Sequence, residues 1–185
     1  MNEVIFYVLG SYIVGSIPFG KLLGLSLGKD LQKEGSGNIG FANAWRVLGL
    51  KYGVLVLILD MAKGFVPTFI ALKTFPLSQA LMVAGVVIIG HIFPIWLKLK
   101  GGKGVATYLG ASFAINPILG LIGIGTWALL FSVFKISATG SVMGCVLIFI
   151  FSLYLEPAQT SIMLGLLSLL IIFRHRSNLK WNLRF

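Results

Sequence analysis

The chain has 185 residues, of which 57% are hydrophobic and only 11% charged, with a mean hydropathy of +0.97. A soluble domain carries about 25% charged residues, so the composition excludes an ordinary soluble globule and indicates an integral membrane protein. Fifteen Lys and Arg against five Asp and Glu give a net charge of +10; in a membrane chain the positive-inside bias, anionic lipid and phosphorylated substrates explain this excess better than nucleic acid does.

The single Cys145 lies in an apolar run and cannot form an intramolecular disulfide. The N-terminus carries Glu3 and no Lys or Arg, which argues against a cleavable signal peptide. A spanning helix needs about 20 mostly apolar residues. The first candidate runs from Val4 to about Leu27 and contains Pro18, which should kink it. A polar, glycine-rich loop follows from Gly28 to Gly40, then a short segment to Lys51. The second span covers about Tyr52 to Leu72 and the third about Gln79 to Leu97. Val105 to Phe134 is too long for one ordinary span, and the residue before a proline is pushed out of the helical region. Asn116-Pro117 therefore divides it into Val105 to about Ile115 and Pro117 to Phe134. Lys135 to Thr139 reads as a loop, followed by spans at about Gly140 to Leu155 and Gln159 to Phe173.

Seven spans put the ends on opposite sides. One side then holds Lys29, Lys33, Arg46, Lys51, Lys98, Lys100, Lys103, Lys135, Arg174, Arg176, Lys180 and Arg184, while the other holds only Lys73 among the loop cations. The expected fold is all-α: a polytopic membrane protein with seven transmembrane helices, N-terminus outside and C-terminus cytoplasmic. We read no internal repeat and no soluble domain, so residues 1–185 form a single membrane-embedded domain.

The unusual polar sequence collects on the cytoplasmic side. Lys100 to Thr107 reads K-G-G-K-G-V-A-T. Gly101, Gly102 and Gly104 let the backbone approach a ligand closely, Lys100 and Lys103 add charge, and a helix start at Val105 favours an anion. The set describes a phosphate cradle; a basic loop that only orients the protein is the competing reading. It is not a Walker A loop, because Leu97 and Gly104 occupy the places of that pattern's first Gly and its Ser/Thr. A second cluster runs Gly35-Ser36-Gly37-Asn38-Ile39-Gly40, then Asn43 and Arg46. It offers backbone N–H groups, a hydroxyl, two amides and a guanidinium suited to phosphate; an ordinary turn with a helix cap would look similar.

Asp60 and Lys63 share a face of the second span at i, i+3. Ionisable groups within a span pair or line a cavity, and we expect a structural ion pair that also supports the site. His91 in the third span is expected to pack rather than ligate. His175, in R-H-R-S-N at Arg174 to Asn178, is either a basic anchor or part of a polar wall that closes the site. No His, Cys and carboxylate set has metal spacing, so no metal is expected. Trp96 and Lys180 hold the +5 places after His91 and His175, which excludes the H-x-x-x-x-D pattern of many glycerolipid acyltransferases. Donors to anions with few general bases suit a reaction run by positioning and electrostatics.

These pieces resemble one family, the bacterial acyl-phosphate:glycerol-3-phosphate acyltransferases (PlsY family). The resemblance rests on G-S-I-P-F-G at Gly15 to Gly20, G-S-G-N-I-G-F-A-N-A-W-R at Gly35 to Arg46, D-M-A-K-G at Asp60 to Gly64, G-H-I-F-P at Gly90 to Pro94, K-G-G-K-G-V-A-T at Lys100 to Thr107 and R-H-R-S-N at Arg174 to Asn178. It implies transfer of an acyl group from acyl phosphate to the 1-hydroxyl of glycerol 3-phosphate at the cytoplasmic face of the bacterial inner membrane. It assigns Ser36, Arg46, Lys103, His175 and Asn178 to catalysis. Gly37, Asn38, Gly40, Asn43, Lys100, Gly101, Gly102, Gly104 and Thr107 would bind substrate, with Asp60, Lys63 and His91 in support. No cofactor, nucleic acid or obligate protein partner is implied; the partners are the two substrates and membrane lipid. Family members usually carry a glycine and a glutamate beyond the His/Asn motif, whereas residues 180–185 read K-W-N-L-R-F. The competing functions are transport of a phosphorylated anion, which lacks a matching polar set on the outer face, and lipid recruitment by the basic tail, which leaves both glycine clusters without a role.

Overall fold

The structure, a computed structural model, describes residues 2–176. Among them are nine α-helices: α1 (Asn2–Ser16), α2 (Phe19–Ser26), α3 (Phe41–Leu48), α4 (Leu50–Thr74), α5 (Leu77–Ile92), α6 (Val105–Ile115), α7 (Pro117–Phe134), α8 (Ser137–Leu155) and α9 (Ala158–Arg174). A single 3-10 turn, Ile95–Leu97, follows α5. The chain divides between Ala111 and Ser112 into two compact units.

Five of the segments are long and apolar enough to cross a membrane: Glu3–Ser26, Leu50–Thr74, Leu77–Leu97, Pro117–Phe134 and Ser137–Leu155. Two further apolar helices, Val105–Ile115 and Ala158–Arg174, are shorter. The 11 residues of α6 rise about 16 Å, roughly half of a hydrocarbon core about 30 Å thick. The kink expected at Pro18 is a full break between α1 and α2. The third span reaches Leu97 as expected, but its α-helix ends at Ile92, because Phe93 precedes Pro94 and leaves the helical region (φ −126°, ψ 60°), and the 3-10 turn completes it. The sixth apolar helix starts at Ser137, three residues earlier than expected. Lys135 turns left-handed at the end of α7, and one extended residue, Ile136, suffices to start α8.

In the first unit, α1 packs along α5, and Tyr12 closes the end of α5 by donating its hydroxyl to the Phe93 carbonyl at 2.7 Å. The amphipathic α3 buries Ala44 against Leu31 and Val56, with Leu23, Val47 and Leu48 around them. The start of α6 rests directly on α4: a Cβ at Gly64 would lie 2.1 Å from the Thr107 carbonyl oxygen, and one at Gly110 would lie 2.0 Å from that of Met61. Any side chain at either position would push the helices apart.

In the second unit, Asn116 turns the chain as expected. Its side chain accepts from the Ile118 N–H at 2.9 Å, capping α7, and donates to Glu156 at 2.8 Å. Helix α8 sits on α7 at Gly140 and Gly144, and on α9 through Ser168, which donates to the Cys145 carbonyl.

Candidate active site

The loop that ends in Gly35–Gly40 is held from inside by Asn43. The buried carboxamide accepts from the Ser36 N–H at 2.7 Å and donates to the carbonyls of Leu31, Glu34 and Asn38 at 3.1, 3.0 and 2.8 Å. Gly35 has φ +60°, and a Cβ there would lie 2.2 Å from the Asn43 amide oxygen, so only glycine fits. Asn38 forms an Asx turn by accepting from the Gly40 N–H at 2.8 Å. Ser36 itself is exposed. Arg46 lies in the last turn of α3, one turn beyond Asn43, where partial burial pulls its pKa below the usual guanidinium value.

The second cluster begins with strain. Lys98 and Leu99 are consecutive left-handed residues (φ 51° and 62°), a conformation that costs a non-glycine residue about 1–2 kcal/mol. They turn the backbone so that Gly101 N–H meets the Ile92 carbonyl and Gly102 N–H the His91 carbonyl, both at 3.2 Å. A Cβ on Gly102 would sit 2.1 Å from His91 Nε2, and one on Gly101 would sit 2.2 Å from the His91 carbonyl oxygen. The Gly104 carbonyl then accepts from Tyr108 N–H and begins α6. Thr107 is fully buried against Gly64 of α4, in the helix contact rather than on the loop.

This differs from the expected cradle of backbone donors. The N–H groups of Ser36, Gly37, Gly40, Gly101 and Gly102 all serve internal bonds: Ser36 to Asn43, Gly37 to the Glu34 carbonyl, Gly40 to Asn38, and the last two to the end of α5. The glycines answer steric demands. The side chains of Ser36 and Lys100 are exposed and those of Arg46 and Lys103 half-buried, while the N–H groups of the first turn of α6 have no partner within the helix.

Gln32 joins the two clusters. Its amide nitrogen donates to the Lys100 carbonyl at 3.2 Å, and its amide oxygen accepts from Lys21 of α2. Lys21 also approaches Asp30, at 4.0 Å, and Asp30 accepts from the Gln32 N–H at 3.1 Å. Sequence reading missed all three residues. Lys21, a cation inside an apolar span, was the available signal.

Below the second cluster lies the buried pair. Lys63 Nζ is 2.8 Å from Asp60 Oδ1 and donates to the Ile17 carbonyl at 2.8 Å, the group exposed by the break before Pro18. His91 Nδ1 faces the same carboxylate oxygen at 3.6 Å. All three side chains are at most 4% exposed. Asp60 is thus committed to a cation and is a poor general base.

In the second unit, His175 ends α9 and is buried, with Nδ1 2.8 Å from the Ile171 carbonyl. Arg176 stacks over Phe173, 4.0 Å from the ring centroid. Asn178 lies outside the described residues. Among the described residues no three His, Cys, Asp or Glu side chains cluster as a metal site.

A family model described as glycerol-3-phosphate acyltransferase matches residues 5–184. The glycerol-3-phosphate acyltransferase of Aquifex aeolicus is 39% identical over 96% of this chain and 94% of its own length. That of Pelagibacter ubique is 40% identical over 96% and 93%. Among solved structures, the crystal structure of PlsY, an integral membrane glycerol 3-phosphate acyltransferase, in its glycerol 3-phosphate form superposes with a TM-score of 0.96 at 36% identity, covering 99% of this chain and 96% of that one. The lysophosphatidic acid form gives 0.92 at 35% identity, covering 99% and 95%.

Proposed function

The chain belongs to the glycerol-3-phosphate acyltransferase family, and from that premise we propose that it transfers a fatty acyl group from an acyl phosphate to the 1-hydroxyl of glycerol 3-phosphate. The products are 1-acyl-glycerol 3-phosphate (lysophosphatidic acid) and inorganic phosphate, the first step of phospholipid synthesis. The observation that carries the reading is the near-complete likeness to an integral membrane enzyme solved with glycerol 3-phosphate and with lysophosphatidic acid.

The described side chains support this chemistry. Arg46 and Lys103 carry the charge for the glycerol 3-phosphate phosphate, Arg46 through a two-pronged fork and Lys103 as a point charge. Ser36 orients a substrate hydroxyl. Lys100, Asn38 and the first turn of α6 from Gly104 receive the acyl-phosphate headgroup, while Gly37, Gly40, Gly101, Gly102 and Asn43 shape the loops that present these groups. His175 and Asn178 are assigned to substrate recognition on the resemblance of R-H-R-S-N. In the transfer, the 1-hydroxyl oxygen attacks the acyl carbonyl carbon, the bond from that carbon to the phosphate oxygen breaks, and the hydroxyl proton passes to the departing phosphate. An acyl phosphate carries its own leaving group and its own proton acceptor, which accords with a site short of general bases.

The charge bias supports seven crossings of a bacterial inner membrane by one catalytic domain, with the site on the cytoplasmic side. The test is phosphate release by the purified protein in lipid, given palmitoyl phosphate with and without glycerol 3-phosphate. Release that requires glycerol 3-phosphate, yields lysophosphatidic acid and collapses in both Ser36→Ala and Lys103→Ala is the expected result. An acyl-enzyme trapped on Ser36 would refute the direct transfer.

A further inference from the structure

We infer that the His91 ring is the floor that sets the position of the Lys100–Gly104 loop, with the buried Asp60–Lys63 pair holding the ring in place. The inference rests on that loop being part of the substrate site. His91 touches the loop twice: its carbonyl accepts from Gly102 N–H at 3.2 Å, and its ring lies where a Gly102 Cβ would come within 2.1 Å of Nε2 and 2.8 Å of Cε1. The opposite edge of the ring, Nδ1, faces Asp60 Oδ1 at 3.6 Å. Asp60 is fixed by Lys63 at 2.8 Å, and Lys63 by the Ile17 carbonyl at 2.8 Å. A chain of buried groups therefore runs from the α1–α2 break, through α4, to the underside of the glycine loop. Helix α6, which carries the end of the loop, is seated on the same α4 through Gly64 and Thr107. His91 is then a positioning residue, one that acts on substrate only through the height of Lys103 and the α6 N-terminus.

The geometry sets a test in which two neighbouring glycines must behave differently. At Gly102 the obstacle to a side chain is the His91 ring, which a mutation can remove. At Gly101 the obstacles are the His91 and Ile92 carbonyls and the Pro94 ring, which a change at His91 leaves in place. Gly102→Ala should lower kcat roughly a hundredfold, since displacing a site by about 1 Å can cost that much. His91→Ala alone, with the floor gone, should itself be impaired. The double variant Gly102→Ala/His91→Ala should recover most of the Gly102→Ala loss and exceed His91→Ala, because the methyl added at position 102 takes the place of the missing ring edge. Gly101→Ala/His91→Ala should stay as inactive as Gly101→Ala. His91→Phe keeps a ring in the same place and should not rescue Gly102→Ala. Amide hydrogen exchange of Gly101 and Gly102, measured on the same proteins in detergent, reads the loop without activity. Protection should fall in Gly102→Ala and return in its double with His91→Ala. A double variant no better than Gly102→Ala in exchange, or equal rescue at Gly101, overturns the positioning role. Exchange that follows this pattern across the variants, with no acyl transfer by the wild-type protein, would instead refute the proposed reaction and leave the positioning role standing.

Discussion

Asn43 directs its whole carboxamide into its own loop, four hydrogen bonds that set the course of residues 31–38. Asn43→Ala should therefore act on stability as well as activity. A buried polar group stripped of its partner costs about 1–3 kcal/mol, and a thermal melt in detergent should show destabilisation on that order, with turnover reduced alongside. Retained stability with lost turnover would instead return Asn43 to direct substrate binding. The residue identities of both clusters were legible, because Gly, Ser, Asn, Arg and Lys are unusual together in so apolar a chain. Their division of labour was not. Whether a glycine N–H is open to a phosphate depends on His91 and Ile92, whose arrangement is tertiary, and Gln32 finds its partner 68 residues away.

At the scale of elements, α4 carries the most demanding feature, a paired lysine and aspartate almost wholly removed from solvent. Removing one partner of a buried pair leaves an uncompensated charge, at a cost of about 3–5 kcal/mol. Lys63→Met should lower the melting temperature sharply, and adding Asp60→Leu should recover much of the loss by removing the orphaned carboxylate. If both melt like the wild type, the pair is not holding α4. Helix boundaries followed sequence wherever a local signal existed: Asn116-Pro117 turns the chain where a capping side chain meets a proline. Where two signals competed, span and helix end at different residues. The third span runs to Leu97 as its apolar sequence suggested, yet Phe93-Pro94 ends the α-helix, and the 3-10 turn carries the remaining apolar residues.

For the molecule as a whole, the proposed orientation makes a prediction about access. With Cys145→Ala as background, since that thiol is buried, cysteine placed at Lys73 should react with an impermeant reagent on intact cells, and cysteine at Lys98 only after the membrane is opened. The reverse pattern would invert the topology and put the two glycine loops outside. Composition alone made the membrane class legible, and five of the seven expected spans are long and apolar enough to cross. The length of α6 was also visible, since Pro117 limits it to 11 residues.

The spacing of Asp60 and Lys63 has a consequence for how the protein is made. The two lie i, i+3 on one helix, so they can pair as soon as α4 forms, before any neighbour is present. A lone Asp or Lys at the centre of a segment entering the bilayer from the translocon costs about 2.5–3.5 kcal/mol. A segment that has already neutralised its own charges enters with less of that cost. Lys63 reaches the Ile17 carbonyl once α4 lies beside the α1–α2 break. The same ammonium group thus serves biogenesis first and assembly second, without waiting for the rest of the chain to be synthesised.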